Sequence, residues 1–282
     1  MSELAHGLHF DLPEVDYHGQ RDSLSVSGAK KLLPPSCPAK FKASLEGGEE
    51  HKATFDFGKV AHALVLGKGA DFEVAPYEDW RSKAARDFRD DAYADGRAPI
   101  LATDHAKAQA LAASVAAHPL AGALFSGGEA EVSAAWIDPA TGVHCRARFD
   151  YLPEKVKGKR LLIPDLKTAL SAQPGEFGRS AGRFLYAMQD QWYTEAAIAL
   201  GLDDDPAFLF VTVEKDPPYI VTVGQLREED KKLGRALNDK ARRIYAECTA
   251  TDTWPAYTQP DEIAEIALPV WHHNDYEEIA YS

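Results

Sequence analysis

Asp150, Asp165 and Lys167 are residues whose types and spacing could do chemistry together. Hydrolysis of a phosphodiester at neutral pH needs an activated water and neutralisation of the charge that develops on the phosphoryl group. Hard divalent ions held by carboxylates supply both, and a nearby lysine can orient or deprotonate the water. Such a site needs two or three carboxylates and a lysine pointing at one place. Side chains two apart on a strand share a face. Asp165 and Lys167 in Ile163-Pro-Asp-Leu-Lys167 therefore project together, with Leu162 and Leu166 on the other side. On the preceding alternating run, Asp150 shares a polar face with Arg148, Arg146 and His144, while Cys145, Ala147 and Phe149 make the apolar one. Glu131 opens the run before that, where a solvated strand end is the plainer reading. Asp-x-Lys by itself is as readily a surface ion pair.

The elements that must position these groups can be read from pattern. Ser25 to Glu46 reads as two short helices broken by Pro34-Pro35 and Pro38, with Ser27 as N-cap. Helices follow over Phe55–Leu66 and Trp80–Ala94, the second with a charged face bearing Arg81, Lys83, Arg86 and Arg89. A third, capped by Thr103, runs to Ala117, and a shorter one follows Pro119. Glu131–Ile137 and Val143–Tyr151 alternate around Asp138-Pro-Ala-Thr-Gly142, which predicts a hairpin. Leu161–Leu166 suits a central strand. After a loop at Pro174-Gly175 come a helix over Arg183–Leu200, strands at Ala207–Val213 and Tyr219–Val223, and a charged helix over Glu228–Cys248. Trp254, Ile266, Leu268, Pro269 and Trp271 make the tail too apolar for a disordered appendage. Helices, then strands, a helix and further strands predict an α/β (α+β) fold with a mixed central sheet and an N-terminal helical elaboration. Residues 1–24 read as an arm and 25–272 as one domain: a mainly helical part (25–126), a sheet core carrying the site (127–225), and a C-terminal helix and tail (226–272). Residues 273–282 form the end of the tail.

Composition narrows the classes. The 282-residue chain is 45% hydrophobic, ordinary for a packed core. It has no apolar run of about 18 residues to span a membrane, and its N-terminus does not read as a secretory signal. Cys37, Cys145 and Cys248 are far apart and odd in number, so neither a disulfide framework nor a CxxC zinc site is expected, and a reducing cytoplasm fits. The net charge of −13 opposes nucleic-acid binding at first sight. Local distribution matters more than the sum: Gly142 to Lys167 holds seven Lys/Arg against three acids. An acidic protein with one basic cleft can hold DNA there and repel it elsewhere. Arg146 and Arg148 belong to that stretch. Arg179 and Arg183, before or in the first turn of the Arg183–Leu200 helix, could bind a phosphate at its N-terminus or simply be solvated.

Two further pieces join the carboxylates. Gln189 and Tyr193 lie at i, i+4 on one helix face, where ordinary packing is the alternative. His62, in Gly58-Lys-Val-Ala-His62, lies on a helix whose other face is apolar; a satisfied core histidine is the alternative there. In this order, Gly58-x3-His62, Glu131, Asp150, Asp165-Leu-Lys167 and Gln189-x3-Tyr193 resemble the PD-(D/E)xK nuclease superfamily, and more narrowly its RecB/RecE-type exonuclease branch. The phrases Ser25-Val-Ser-Gly-Ala-Lys30, Val213-Glu-Lys-Asp-Pro-Pro-Tyr219 and Ile266-Ala-Leu-Pro-Val-Trp271 are similar to RecE-like exonucleases of phages and prophages, so the resemblance runs from about residue 20 to 272. One departure stands: Pro164 precedes Asp165, but the carboxylate of the "PD" position is Asp150, which follows Phe149.

The resemblance implies a restriction-endonuclease-like core with Asp150, Asp165, the carbonyl of Leu166 and His62 as metal ligands. It implies Lys167 as the water-positioning group and Glu131 as a further active-site carboxylate, with Gln189 and Tyr193 holding DNA or backing the site. It also implies a Mg²⁺-dependent exodeoxyribonuclease, with Mn²⁺ able to substitute, digesting linear duplex 5′→3′ in a bacterial or phage-infected cytoplasm. The 3′ single strand left behind would pass to a single-strand annealing protein, and a ring-shaped homo-oligomer would keep the enzyme on DNA. No Walker A sequence is present, so ATP is not expected. The cysteines do not match the four-cysteine iron–sulfur pattern of related proteins, so no cluster is expected. A structure-specific endonuclease and an inactive DNA-binding protein on the same fold are the alternatives.

Overall fold

Val132, Ala134 and Trp136 are answered across a turn by Cys145, Ala147 and Phe149, and burying both sets on one side requires a hairpin. The computed structural model, which describes residues 4–47, 53–259 and 261–280, contains that hairpin. In chain order the elements are β1 (Gly7–His9), α1 (Glu14–His18), β2 (Leu24–Ser25), α2 (Val26–Lys31), α3 (Pro38–Glu46), α4 (Ala53–Leu66), β3 (Phe72–Ala75), α5 (Lys83–Ala94), β4 (Ala98–Leu101), α6 (Ala102–Ala117) and α7 (Pro119–Leu124). The second half comprises β5 (Gly128–Ile137), β6 (His144–Pro153), β7 (Leu162–Ala169), α8 (Pro174–Arg183), α9 (Tyr186–Ala199), β8 (Ala207–Glu214), β9 (Val221–Gly224), α10 (Glu228–Thr251) and α11 (Val270–Ala280).

β5 and β6 pair antiparallel from Gly128↔Pro153 to Ile137↔His144. At the turn, the Asp138 carboxylate accepts from the Thr141 amide and hydroxyl, and Gly142 takes φ +72°. The segment before residue 25 belongs to this sheet: β1 lies antiparallel on β5, and β2 lies parallel to β6 at Leu24↔Cys145. A second sheet has β7 and β8 parallel, joined by α8 and α9 as crossover, with β9 antiparallel beyond. β6 packs beside β7 without a hydrogen-bonded ladder between them. A separate pair, β3 and β4, runs parallel.

Two apolar clusters cover the two faces. On one, Met188 and Trp192 of α9 pack with Phe149, Ile163 and Phe208. On the other, Val60 and Ala61 of α4 and Leu111 of α6 pack with Leu166 and Val211. α9 is buried on nearly every side, which is why its sequence lacks a clear polar face.

Several local expectations shift. Ser25, not Ser27, caps α2, accepting from the Gly28 amide at 3.2 Å. α6 begins at Ala102, one residue ahead of Thr103, with no side-chain cap. Pro174 starts a helix instead of sitting in a loop: it occupies the first turn of α8, and the Gln173 side chain accepts from the Glu176 amide at 2.8 Å. The helix expected over Arg183–Leu200 starts later, at Tyr186: Arg183 ends α8, and Leu185 between the two helices takes φ +52°. Glu131 lies inside β5 rather than opening it. Of the apolar tail, Trp254 stacks on Phe41 at 5.6 Å, while Ile266 and Trp271 are exposed. No helix among the described residues is long and apolar enough to cross a membrane.

α10 crosses α9 at a glycine. A Cβ on Gly234 would sit 2.1 Å from the Ala187 carbonyl oxygen, and Asn238 donates to the Met188 carbonyl at 3.0 Å. Alanine in a helix interior is favoured over glycine by about 1 kcal/mol, but forcing two backbones apart costs about 1–3 kcal/mol. The second effect should win. Gly234→Ala is predicted to lower the thermal midpoint by about 2–6 °C, whereas Gly224→Ala, with open space around it, should not. A midpoint raised by Gly234→Ala would show that the helices can separate freely.

Candidate active site

Where β6 and β7 run side by side, a carboxylate takes the place of a ladder bond. The Leu166 amide of β7 donates to Asp150 Oδ2 of β6 at 2.8 Å. The same oxygen lies 3.1 Å from His62 Nε2, and His62 Nδ1 lies 3.3 Å from Glu131 Oε1. An imidazole between two carboxylates has work for both nitrogens only as imidazolium, a donor each way. Burial would lower its pKa; Asp150 and then Glu131 reverse that and raise it to about 9. Burial likewise pushes Asp150 up, but His62 and Lys167 outweigh it and leave this carboxyl below its ordinary value. Burial raises Glu131 to about 7 against the opposing pull of His62.

Backbone strain helps to bring Glu131 into this group. Its φ is +58°, unusual for a non-glycine residue within a strand. The ladder runs Ala130↔Tyr151 and Val132↔Phe149, skipping Glu131 and Asp150, which thus face one another across the gap. α4 supplies His62 from the adjoining side, passing β7 where Gly58 lies against Thr168.

Asp165 is held from the α9 side. It is 1% exposed. Gln189 Nε2 donates to its Oδ1 at 2.7 Å, and Lys167 Nζ lies 2.5 Å from its Oδ2. Burial raises Asp165 to about 6, with Lys167 opposing and Asp150 adding. Lys167 is itself raised: burial would lower it, but Asp165 and Asp150 prevail. Its ammonium rests 5.2 Å from the centre of the Tyr186 ring.

The structure thus brings together His62, Glu131, Asp150, Asp165, Leu166, Lys167 and Gln189. Tyr193 lies behind them, 8% exposed, edge-on to Phe149 at 5.4 Å, with its hydroxyl bonded to the Arg148 backbone. It therefore backs β6 rather than touching a ligand. Arg148 lines the cleft, but its guanidinium is engaged by the Leu12 carbonyl at 2.7 Å and Ser133 Oγ at 2.9 Å. Arg146 does not fit the expectation of a DNA contact: it is buried, bonded to Ser23, and set over the Tyr17 ring. Arg179 and Arg183 lie on α8, not at the start of α9. Arg179 is exposed and paired with Glu176 at 2.8 Å, and Arg183, in the last turn, lines the cleft. The basic stretch disperses as well. Lys155 pairs with Asp203 and Arg160 with Asp205, outside the cleft.

The cleft, about 1320 Å³, draws its positive charge from elsewhere: Lys30 of α2, Lys59 of α4 and Lys215 after β8 join Lys167 and Arg183. Lys30 and Tyr186 are the informative omissions. Burial and then repulsion from Lys167 lower Lys30 to about 8, and its ammonium lies 5.4 Å from the Tyr186 ring centre. Lys30 and Lys215 sit in two of the phrases that carried the resemblance; nothing in the sequence singled out Tyr186.

The donor set of carboxylate oxygens and one imidazole suits a hard divalent ion. Asp165 Oδ2 is buried and lacks a donor in hydrogen-bonding geometry even with Lys167 beside it, as a ligand oxygen would be. Among the described residues no three His, Cys, Asp or Glu side chains form a ready-made cage; the carboxylates are drawn to His62 and Lys167 instead.

A mixed sheet flanked by helices, with Asp150, Asp165 and Lys167 meeting between two adjacent strands, is the arrangement of the PD-(D/E)xK nuclease core. The chain belongs to the family described as a PDDEXK-like domain of unknown function (DUF3799), which matches residues 25–265. Among solved structures it is similar to one from Eubacterium rectale, described as "Putative exonuclease", with TM-score 0.61 and 13% identity over 94% of this chain and 98% of that one. At that identity the likeness concerns the fold. No curated protein matches the chain by sequence.

The placement of Arg146 is open to test. Removing a buried charged donor from its partners costs about 2–4 kcal/mol. Arg146→Ala is predicted to lower urea-unfolding stability by that order. Normal stability combined with weakened DNA binding would return Arg146 to the ligand side.

Proposed function

We propose that this chain is a divalent-metal-dependent deoxyribonuclease, and specifically a Mg²⁺-dependent exonuclease that digests one strand of linear duplex DNA from its end in the 5′→3′ direction. The observation that carries the reading is that His62 and Lys167, which line one cleft together with further cations, meet the carboxylates of Asp150 and Asp165 behind them. Family membership and the exonuclease description of the E. rectale neighbour support it. Polarity follows from the resemblance to RecE-like enzymes, as does delivery of the 3′ tail to a single-strand annealing protein.

His62, Asp150, Asp165 and the Leu166 carbonyl would hold the metal, with Glu131 beside them. When bound, such an ion lowers the pKa of a water and offsets charge on the phosphoryl group. The chain's own residues do the rest. Gln189 fixes Asp165 through Oδ1 and leaves Oδ2 toward Lys167. The Leu166 amide fixes Asp150. Lys167, charged and propped by Tyr186, orients the attacking water or meets the phosphate oxygens. Lys30, Lys59 and Lys215 draw the backbone of the substrate in against the acidic exterior.

The test is turnover of end-labelled linear duplex beside a closed circle, with and without Mg²⁺. Linear DNA is expected to be degraded only with metal, and Lys167→Ala to lose at least about two orders of magnitude in rate. Full activity in that variant, or activity without metal, sinks the mechanism; equal degradation of the circle removes the exonuclease assignment. His62→Ala is predicted to lose metal-supported turnover while keeping its circular dichroism spectrum. Unchanged turnover would return His62 to a structural role.

A further inference from the structure

The corner between α8 and α9 leaves an aromatic ring open to the cleft instead of burying it in the core. On α8, Phe177 also borders the cleft, but it is half-buried and packs against Phe210 at 5.4 Å. Phe184, at the corner, lines the cleft and is left 52% exposed. It is held in place: its ring stacks on Tyr186 at 5.8 Å and 29°, the Arg183 guanidinium lies 5.6 Å from its centre, and Leu185 between the two rings is locked at φ +52°. Tyr186 in turn carries the Lys167 ammonium. A continuous stack thus runs from the lysine of the site to an open aromatic face. Leu170, three residues beyond Lys167 and 88% exposed, adds an alkyl group to the same cleft.

Which ligand meets an exposed ring beside Arg183 in a cleft that Lys30 and Lys215 also line? Lys30, Arg183 and Lys215 suit phosphates, and a flat apolar ring among them suits a nucleobase. Bases inside a duplex have both faces covered by their neighbours, so the partner must be an unpaired base or one at an end. We propose that Phe184 is a stacking platform for an unpaired nucleobase of the strand whose phosphate lies at Lys167. This rests on the nuclease reading and deepens it: the substrate strand is recognised as a frayed or single strand next to the site, with Phe184 as a positioning residue. Stacking is indifferent to base identity, as a sequence-independent nuclease requires.

The experiment measures binding by fluorescence anisotropy in EDTA, so that no turnover occurs. The full chain is titrated onto a labelled oligothymidylate and onto an equally long oligomer of abasic residues. Wild type should prefer the base-bearing strand. Phe184→Ala should weaken that complex by between about five- and a hundredfold, leave the abasic complex unchanged, and be rescued by Phe184→Tyr. Arg183→Gln should weaken both complexes. Equal binding of the two oligomers by wild type, or an equal loss on both in Phe184→Ala, overturns the platform. The nuclease reading stands or falls separately, on Lys167→Ala and the Mg²⁺ requirement.

Discussion

The hydrogen bond from the Leu166 amide to the Asp150 carboxylate is the constraint on which the rest of the site depends. Two strands that ran as a continuous ladder would spend that amide on a backbone carbonyl and close the space between them. By accepting it on a side chain, the protein keeps β6 and β7 adjacent yet unladdered. The gap lets groups from opposite sides of the sheet converge: His62 arrives with α4 and Gln189 with α9. Each flanking helix is held by its own apolar cluster, so the positions of His62 and Gln189 rest on ordinary core packing.

Charge is organised on the same principle. Buried carboxylates close together repel, and burial alone favours their neutral forms. The site resolves this unevenly. Asp150, with His62 and Lys167 near it, is held ionised, whereas burial raises Glu131 and Asp165. Although the chain is acidic overall, Lys30, Lys59, Lys167, Arg183 and Lys215 converge on one cleft from five separate elements or loops. Two cations of the apparent basic stretch, Lys155 and Arg160, are neutralised locally by Asp203 and Asp205.

The strands β5 to β9, most helices and the core of the site were legible because period and order reported them; the short strands β1 to β4 were not. Alternation marked β5 and β6, and Asp165-Leu-Lys167 marked β7. What escaped depended on long-range contacts. Arg146 alternates like a solvent-facing residue, yet a segment more than a hundred residues earlier covers its face with Tyr17 and Ser23. Leu185 has a side chain typical of helices, so its left-handed break was invisible, and with it the separation of Arg183 from α9. Lys30 and Lys215 are unremarkable as lysines; only the fold assembles them.

The N-terminal segment carries a consequence for the order of folding. Gly7 pairs with Ala135 and Leu24 with Cys145, and Arg148 holds the Leu12 carbonyl. β1 and β2 therefore have no strand to pair with until the β5–β6 hairpin has been made. Pairings so distant in sequence carry a large loop-closure cost and form late. One wall of the cleft, with Leu12, Pro13 and Glu14, can close only after the residues at its floor exist. The cleft is therefore complete only once these long-range pairings have formed.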